Sequence, residues 1–308
     1  MMGGMISLEN VTKRYGQFTA VDDISFVAQS GRVTGFLGPN GAGKSTSMRV
    51  MVGLTPQNAG TALIGGHRFA DIPNPSRHVG VLLDASAQHA GRTGREVLRL
   101  SAETMGIGRE RVESMLELVG LSGSEAKRRV RNYSLGMRQR LGIANALLGD
   151  PSVLILDEPV NGLDPAGIHW MRGLLRNFAG KGGTVLLSSH LLHEVEMIAD
   201  EMVLIGRGKI VARGTKDELL QTRGTYVRPE DPGALQQALQ TANIAVTPSG
   251  DGGFRSESEP IEVGRAAAAA GVVLMELHRA EGAGLEEMFL QLTSEDARDS
   301  ITPEGVQV

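Results

Sequence analysis

Residues 38–46 read Gly38-Pro39-Asn40-Gly41-Ala42-Gly43-Lys44-Ser45-Thr46, which follows the spacing G-x-x-x-x-G-K-[ST]. These residue types at this spacing suit a chain of phosphates. Glycines let the backbone turn without a Cβ, so successive N–H groups converge on one anion. Lys44 adds a full positive charge. Ser45 offers a hydroxyl to a divalent cation. Glycine supplies 41 of the 308 residues, so a chance match must be weighed. The flanks argue against chance. The apolar run VTGFL precedes the loop, and a helical pattern runs from Lys44 to Gly53, aiming the positive end of a helix at the same place.

Asp157 and Glu158 close a second apolar run, Val153–Leu156. Two acids at the end of a buried strand are costly unless a cation or water meets them. Open α/β sheets gather ligands at the carboxyl ends of their strands. Asp157 therefore suits Mg²⁺, and Glu158 suits the orientation and deprotonation of an attacking water. His190 closes a third run, TVLLSSH. A histidine alone is more often structural. At a third strand end, beside the loop and the acid pair, it is placed to touch a terminal phosphate or the water. His193 and Glu194 do not make it a zinc site, because the spacing is not H-E-x-x-H. Ser134 precedes a helical pattern through Leu141, Ala144 and Leu148, where it is a good N-cap. A Ser and a Gly before a helix make a second anion-binding N-terminus, although an ordinary capped helix uses the same residues.

These groups need a sheet to hold them. Residues 5–30 read as strands, and helices are expected at 94–120, with stops at Gly106 and Gly120, and from Pro165 to Phe178 and after His190 to Ala199. Residues 202–214 read as a hairpin about Gly206–Gly208. Strands alternating with helices imply an α/β fold with a mainly parallel sheet. Composition shifts near Arg223–Gly224. Strands at 225–228, 244–256 (interrupted by SGDGG) and 272–279 and helices at 232–242, 260–271 and 284–293 then predict a small α+β domain of ferredoxin-like type. The expected domains are 5–223 and 224–293, with a frayed polar tail at 294–308.

The bulk numbers narrow the function. With 41% hydrophobic and 21% charged residues the chain is an ordinary globular protein. A net charge of −4 argues against a nucleic-acid partner, and the cluster Lys127-Arg128-Arg129-Val130-Arg131 reads as a solvated face. The absence of cysteine excludes disulfides and thiolate zinc sites. No export signal is visible in MMGGMISLEN, and no run reaches the roughly 18 apolar residues of a membrane span. Any membrane span must come from another chain.

Taken together over residues 5–220, the motifs resemble the ATP-binding subunit of ATP-binding cassette (ABC) transporters. GPNGAGKST (38–46) resembles Walker A, and VLILDEP (153–159) resembles Walker B with its catalytic glutamate. NGLDP, with Asp164, resembles the D-loop, and the SSH ending at His190 resembles the switch-histidine loop. Tyr15 falls where the family stacks an aromatic ring on adenine. YSLGM (133–137) is similar to the LSGGQ signature, keeping Ser134 and Gly136 but carrying Leu135 and Met137. That variant, the following RQRLGIANALLGDP and the segment GLEEMFLQLT (284–293) resemble the drug- and bacitracin-export branch. The resemblance implies a P-loop NTPase fold with a parallel core, an antiparallel β-subdomain and a helical subdomain. It implies ATP as substrate with Mg²⁺, a second ATP-binding subunit whose signature residues complete each site in trans, and a separate integral membrane permease. The chain would then lie peripherally on the cytoplasmic face of the membrane. One position departs from the family, which has glutamine where Asp84 stands. A carboxylate there is expected to join Ser45 and Asp157 around the metal; the alternative is that, one methylene shorter than glutamine, it is only a hinge residue between nucleotide and membrane partner. Soluble ABC ATPases of translation or DNA repair are the alternative, but these usually carry two cassettes or long coiled coils. A P-loop GTPase would need N-K-x-D, which is missing.

Overall fold

VTGFL is buried at all five positions because β3 (Val33–Leu37) has a strand on either side. In the computed structural model, which describes residues 5–190, 192–215, 218–219, 224–249 and 252–279, the chain divides into two compact units, Met1–Lys216 and Asp217–Val308.

The first unit contains a three-stranded antiparallel sheet in the order β2-β1-β4, formed by β1 (Ile6–Tyr15), β2 (Phe18–Ala28) and β4 (Ala59–Ile64). Its six-stranded sheet runs β5-β6-β7-β3-β8-β9. The first five, β5 (Val79–Leu82), β6 (Val153–Leu156), β7 (Thr184–Ser189), β3 and β8 (Glu201–Gly206), are parallel. The last, β9 (Lys209–Thr215), turns back antiparallel through Gly208. Burial on both faces explains why the apolar residues of β3, β6 and β7 do not alternate with exposed polar ones. The register matters for function. Leu37 lies opposite Ser189, and Leu156 opposite Leu187, so the carboxyl ends of β6, β7 and β3 finish side by side with β7 in the middle.

The two sheets share one apolar cluster, in which Phe26 and Phe36 meet at 5.2 Å between ring centroids. Each fully buried residue of this size contributes roughly 1.5–3 kcal/mol. α1 (Lys44–Met51) follows β3 and buries Met48, Val50 and Met51 in the same cluster. α2 (Gly94–Met105), α3 (Arg109–Leu118), α4 (Ser124–Lys127) and α5 (Leu135–Leu147) pack on one another as a helical layer. α2 begins with a reciprocal cap: Glu96 N–H donates to the Thr93 hydroxyl oxygen, and Thr93 N–H donates to Glu96. α6 (Pro165–Gly180) and the short α7 (Leu192–Glu196) complete the unit. α7 stops at Glu196, three residues before the expected Ala199.

The second unit has the order strand 225–229, helix 232–241, strand 247–248, strand 254–256, helix 260–269, strand 274–279. Its sheet is antiparallel throughout, with the first strand between the third and the fourth and the second strand beyond the third. That βαββαβ order is ferredoxin-like. Val227, Leu235, Leu239, Phe254, Val263 and Ala267 form its core. The helix expected at 284–293 and the tail 294–308 lie outside the described residues.

Candidate active site

The glycine-rich loop leaves β3 at Gly38 and enters α1 through Gly43. Gly43 has φ +107°, a conformation side chains rarely adopt, and a Cβ there would stand 2.5 Å from the Ala20 carbonyl oxygen. Only glycine fits. No side chain caps α1, and no acid lies in its first turn, so the N–H groups at that end have neither an intrahelical partner nor a side-chain cap, as an anion site requires. Lys44 is 5% exposed and donates to the carbonyls of Gly38 at 2.6 Å and Pro39 at 3.0 Å. Burial pushes its pKa down, against the opposing pull of Glu158 and Asp157. Asn40, Gly41 and Ser45 are exposed, Thr46 is half-buried, and Ala42 is buried.

The acid pair stands two strands away from this loop, and β7 bridges the gap. Asp157 N–H donates to the Leu82 carbonyl, which continues the β5–β6 ladder by one residue. Ser188 of β7 donates its hydroxyl proton to Asp157 Oδ1 and accepts from Glu158 N–H at 3.0 Å. His190, just beyond β7, places Nδ1 2.8 Å from Glu158 Oε2. With Glu158 as a carboxylate, which only accepts, the proton of this bond lies on Nδ1. Glu158 Oε1 lies 3.9 Å from Lys44 Nζ. The structure therefore brings Lys44, Asp157, Glu158 and His190 together at three adjoining strand ends.

Glu158 itself sits at φ +48°, in the left-handed region. For a non-glycine residue this costs of order 1–3 kcal/mol and persists only when surroundings over-determine it. Three bonds do so here: Ser188 holds its N–H, while Asn161 N–H at 3.2 Å and Gln139 Nε2 at 3.1 Å hold its carbonyl. Glu194 of α7 adds a third carboxyl to the neighbourhood. Its pKa is raised, first by burial and then by the Glu158 charge, against the lowering influence of His190. Ser188 and Gln139 were not foreseen. The signal for Ser188 was a pair of hydroxyls, Ser188 and Ser189, closing a strand that is buried at every position. For Gln139 it was a polar residue on the helix face shared with Gly142 and Ile143.

The remaining sequence candidates lie elsewhere. Tyr15 ends β1 and is 50% exposed, with Lys13 Nζ 4.8 Å from its ring centroid. Ser134 caps α5 by accepting from Met137 N–H at 3.2 Å, and Leu135 is exposed beside it. The start of α5 meets the loop after Glu158: a Cβ on Gly136 would stand 2.9 Å from the Gly162 carbonyl oxygen. Asp164 caps α6, its Oδ1 accepting from Gly167 N–H at 2.8 Å. Asp84 lies two residues beyond β5. Its Oδ1 accepts from Ser86 N–H at 2.7 Å and Ser86 Oγ at 2.6 Å, and these bonds hold its carboxyl below the usual range. Among the described residues no group of three or more His, Asp or Glu forms a metal site, and no helix is long and apolar enough to cross a membrane.

Residues 21–161 match the family model described as ABC transporter. The chain is 39% identical over 229 residues to the bacitracin transport ATP-binding protein BcrA of Bacillus licheniformis, covering 73% of this chain and 74% of that one. It is 34% identical over 306 residues to the Nod factor export ATP-binding protein I of Burkholderia lata, covering 96% and 98%. A solved ATP-binding subunit of an ABC transporter superposes with a TM-score of 0.64 at 30% identity, covering 70% of this chain and 91% of that one. The dimeric cassette MJ0796, bound to ADP and Pi, has a TM-score of 0.63 at 21% identity and shares the fold.

Proposed function

Since the chain belongs to the ATP-binding subunits of ABC transporters and is an ATPase, we propose that it powers export through a separate membrane-spanning permease, working as a dimer on the cytoplasmic face. The convergence of Lys44, Asp157, Glu158 and His190 on the uncapped end of α1 is the observation that carries the hydrolytic reading. The export reading rests on relatives named for bacitracin transport and Nod factor export.

The residues divide the work as follows. The backbone N–H groups of the loop and the start of α1 cradle the phosphates. Lys44 leaves the Gly38 and Pro39 carbonyls for the terminal phosphates, exchanging two neutral acceptors for charged ones. Glu158 takes a proton from the attacking water, and His190 holds the Glu158 carboxylate in line for it. Tyr15, exposed at the end of β1, stacks on adenine. Ser134, Leu135, Gly136 and Met137, at the surface-facing start of α5, close over the partner subunit's ATP. Asp164 fixes the loop between the two sites.

The oxygen chemistry of the site fits Mg²⁺. Ser45 presents an exposed hydroxyl in the first turn of α1, and Asp157, 8% exposed, supplies a carboxylate; both are hard oxygen donors. Bound there, Mg²⁺ would neutralise charge on the phosphates. Asp84 is the third candidate ligand, and Asp84→Asn tests it cleanly because the amide oxygen still accepts the Ser86 bonds and preserves the turn. We expect the Mg²⁺ concentration giving half-maximal ATPase to rise several-fold. An unchanged value assigns Asp84 to its turn alone.

The permease is proposed to dock on residues 84–96. Ala85 is 7% exposed, so a bulky charge there would test stability rather than docking. Ala87 is exposed and suits the purpose. Ala87→Arg should leave the ATPase rate of the isolated chain within twofold while abolishing export and co-purification with the permease. A chain recovered from cells free of membranes, with ribosomes or DNA as its stable partner, would instead establish the translation or repair alternative.

A further inference from the structure

We infer that Gln139 is a positioning residue through which the signature helix controls the catalytic glutamate of its own subunit. The inference rests on the hydrolytic and dimer readings above. It starts from a buried side chain that those readings do not use. Gln139 is 5% exposed and lies five residues after Ser134, on the buried side of α5. Its Nε2 donates to the Glu158 carbonyl at 3.1 Å, and its Oε1 is buried without a hydrogen-bond partner. Leaving a buried amide oxygen unpaired costs about 1–3 kcal/mol. Such a cost is tolerated where function demands it, and packing alone would favour an apolar residue here.

What the amide holds is the strained peptide of Glu158. The left-handed φ of +48° sets the direction in which the carboxylate leaves the backbone. On the N–H side the conformation is fixed by Ser188, which belongs to the rigid centre of the sheet. On the carbonyl side the long-range bond comes from α5, since Asn161 is in the same loop as Glu158. The start of α5 also abuts the far end of this loop, where Gly136 faces the Gly162 carbonyl and a Cβ on Gly162 would meet the Leu135 side chain at 2.4 Å. A shift of α5 by a few tenths of an ångström therefore moves both ends of residues 158–162. The first turn of α5 is the part that meets the partner's ATP in the proposed dimer. Gln139 thus makes the geometry of Glu158 depend on whether the other site is occupied, and its direct bond acts on the glutamate of its own chain.

Gln139→Met tests this, because methionine keeps the length and removes the donor. A one-ångström misplacement of a catalytic group costs on the order of a hundredfold in rate. We expect kcat to fall 10- to 100-fold, with KM for ATP and the midpoint of thermal unfolding close to those of the parent. Gln139→Glu, which puts a negative charge against the carbonyl, should be at least as slow. A merely structural glutamine would lower the unfolding midpoint and leave kcat. Mixed dimers decide the route. The double variant Gln139→Met/Glu158→Gln, paired with the unaltered chain, leaves one working site, whose glutamate belongs to the unaltered chain. If Gln139 acts within its own subunit, this dimer turns over as fast as one pairing Glu158→Gln with the unaltered chain. A tenfold lower rate would show that Gln139 acts across the interface and overturn the inference, as would a parental kcat in Gln139→Met. Neither result touches the hydrolytic reading, which fails only if Glu158→Gln itself keeps its activity.

Discussion

Glu158→Gln should bind ATP at least as tightly as the parent chain and turn it over 10²- to 10⁴-fold more slowly, the range a positioned general base supplies. The amide has the shape of the carboxylate, so the bonds from Ser188, Asn161 and Gln139 to the Glu158 backbone survive. His190 Nδ1–H can still donate to the amide oxygen. What disappears is the ability to accept a proton from water, together with a negative charge close to where the phosphates sit. Loss of that charge removes a repulsion, so the ATP-bound state accumulates. Size-exclusion chromatography with ATP should show a dimer that the parent chain forms only transiently. Turnover near the parental rate would remove Glu158 from the chemistry. Glu158→Gly makes a useful contrast. Glycine accepts φ +48° without strain, so this variant should lose turnover yet unfold at an equal or higher temperature. The catalytic residue would then be one that the fold tolerates at a cost in stability.

Much of this site could be read before any coordinates. VTGFL, VLIL and TVLL have no alternation of apolar with exposed polar residues because β3, β6 and β7 are buried on both faces, and a pattern of that kind survives in the sequence. The chemical residues follow those runs directly, so locating the strands located the candidate site. Sheet order could not be read. Nothing in the chain says that β7 lies between β6 and β3, yet that order sets Ser188 and His190 between the acids and the loop. The left-handed backbone at Glu158 was equally hidden, since no glycine or asparagine marks it. Gln139 was overlooked because its partner is a main-chain carbonyl, which carries no residue identity. Asp84 shows the converse difficulty. Its place after β5 was legible, but the Ser86 bonds depend on a turn whose sequence, Asp-Ala-Ser, has several other uses.

Lys44→Met should weaken ATP binding by roughly 30- to 150-fold. A charge-assisted bond to phosphate is worth about 2–3 kcal/mol, and 1.4 kcal/mol is a factor of ten. Methionine is chosen over alanine because Lys44 is buried at the start of α1, and a shorter side chain would add a cavity to the electrostatic effect. The nucleotide-free protein should respond differently. Burial lowers the Lys44 pKa below the ordinary lysine value, so the folded state disfavours the charged form relative to the unfolded chain. Such a group opposes folding while both states are protonated, and its penalty shrinks as pH rises through the folded pKa toward the unfolded one. Lys44→Met removes that penalty, along with two bonds to the buried Gly38 and Pro39 carbonyls, whose loss acts in the opposite direction. The two effects oppose one another, so the unfolding midpoint near neutral pH should stay close to that of the parent chain. The rise in parental stability as pH approaches the lysine range should be smaller in the variant. ATP affinity measured by calorimetry and unfolding followed without nucleotide separate the two effects. An affinity within twofold of the parent would mean that the loop N–H groups and the α1 terminus hold the phosphates unaided. A midpoint that falls by many degrees would mean that Lys44 is first a structural clasp on its own loop.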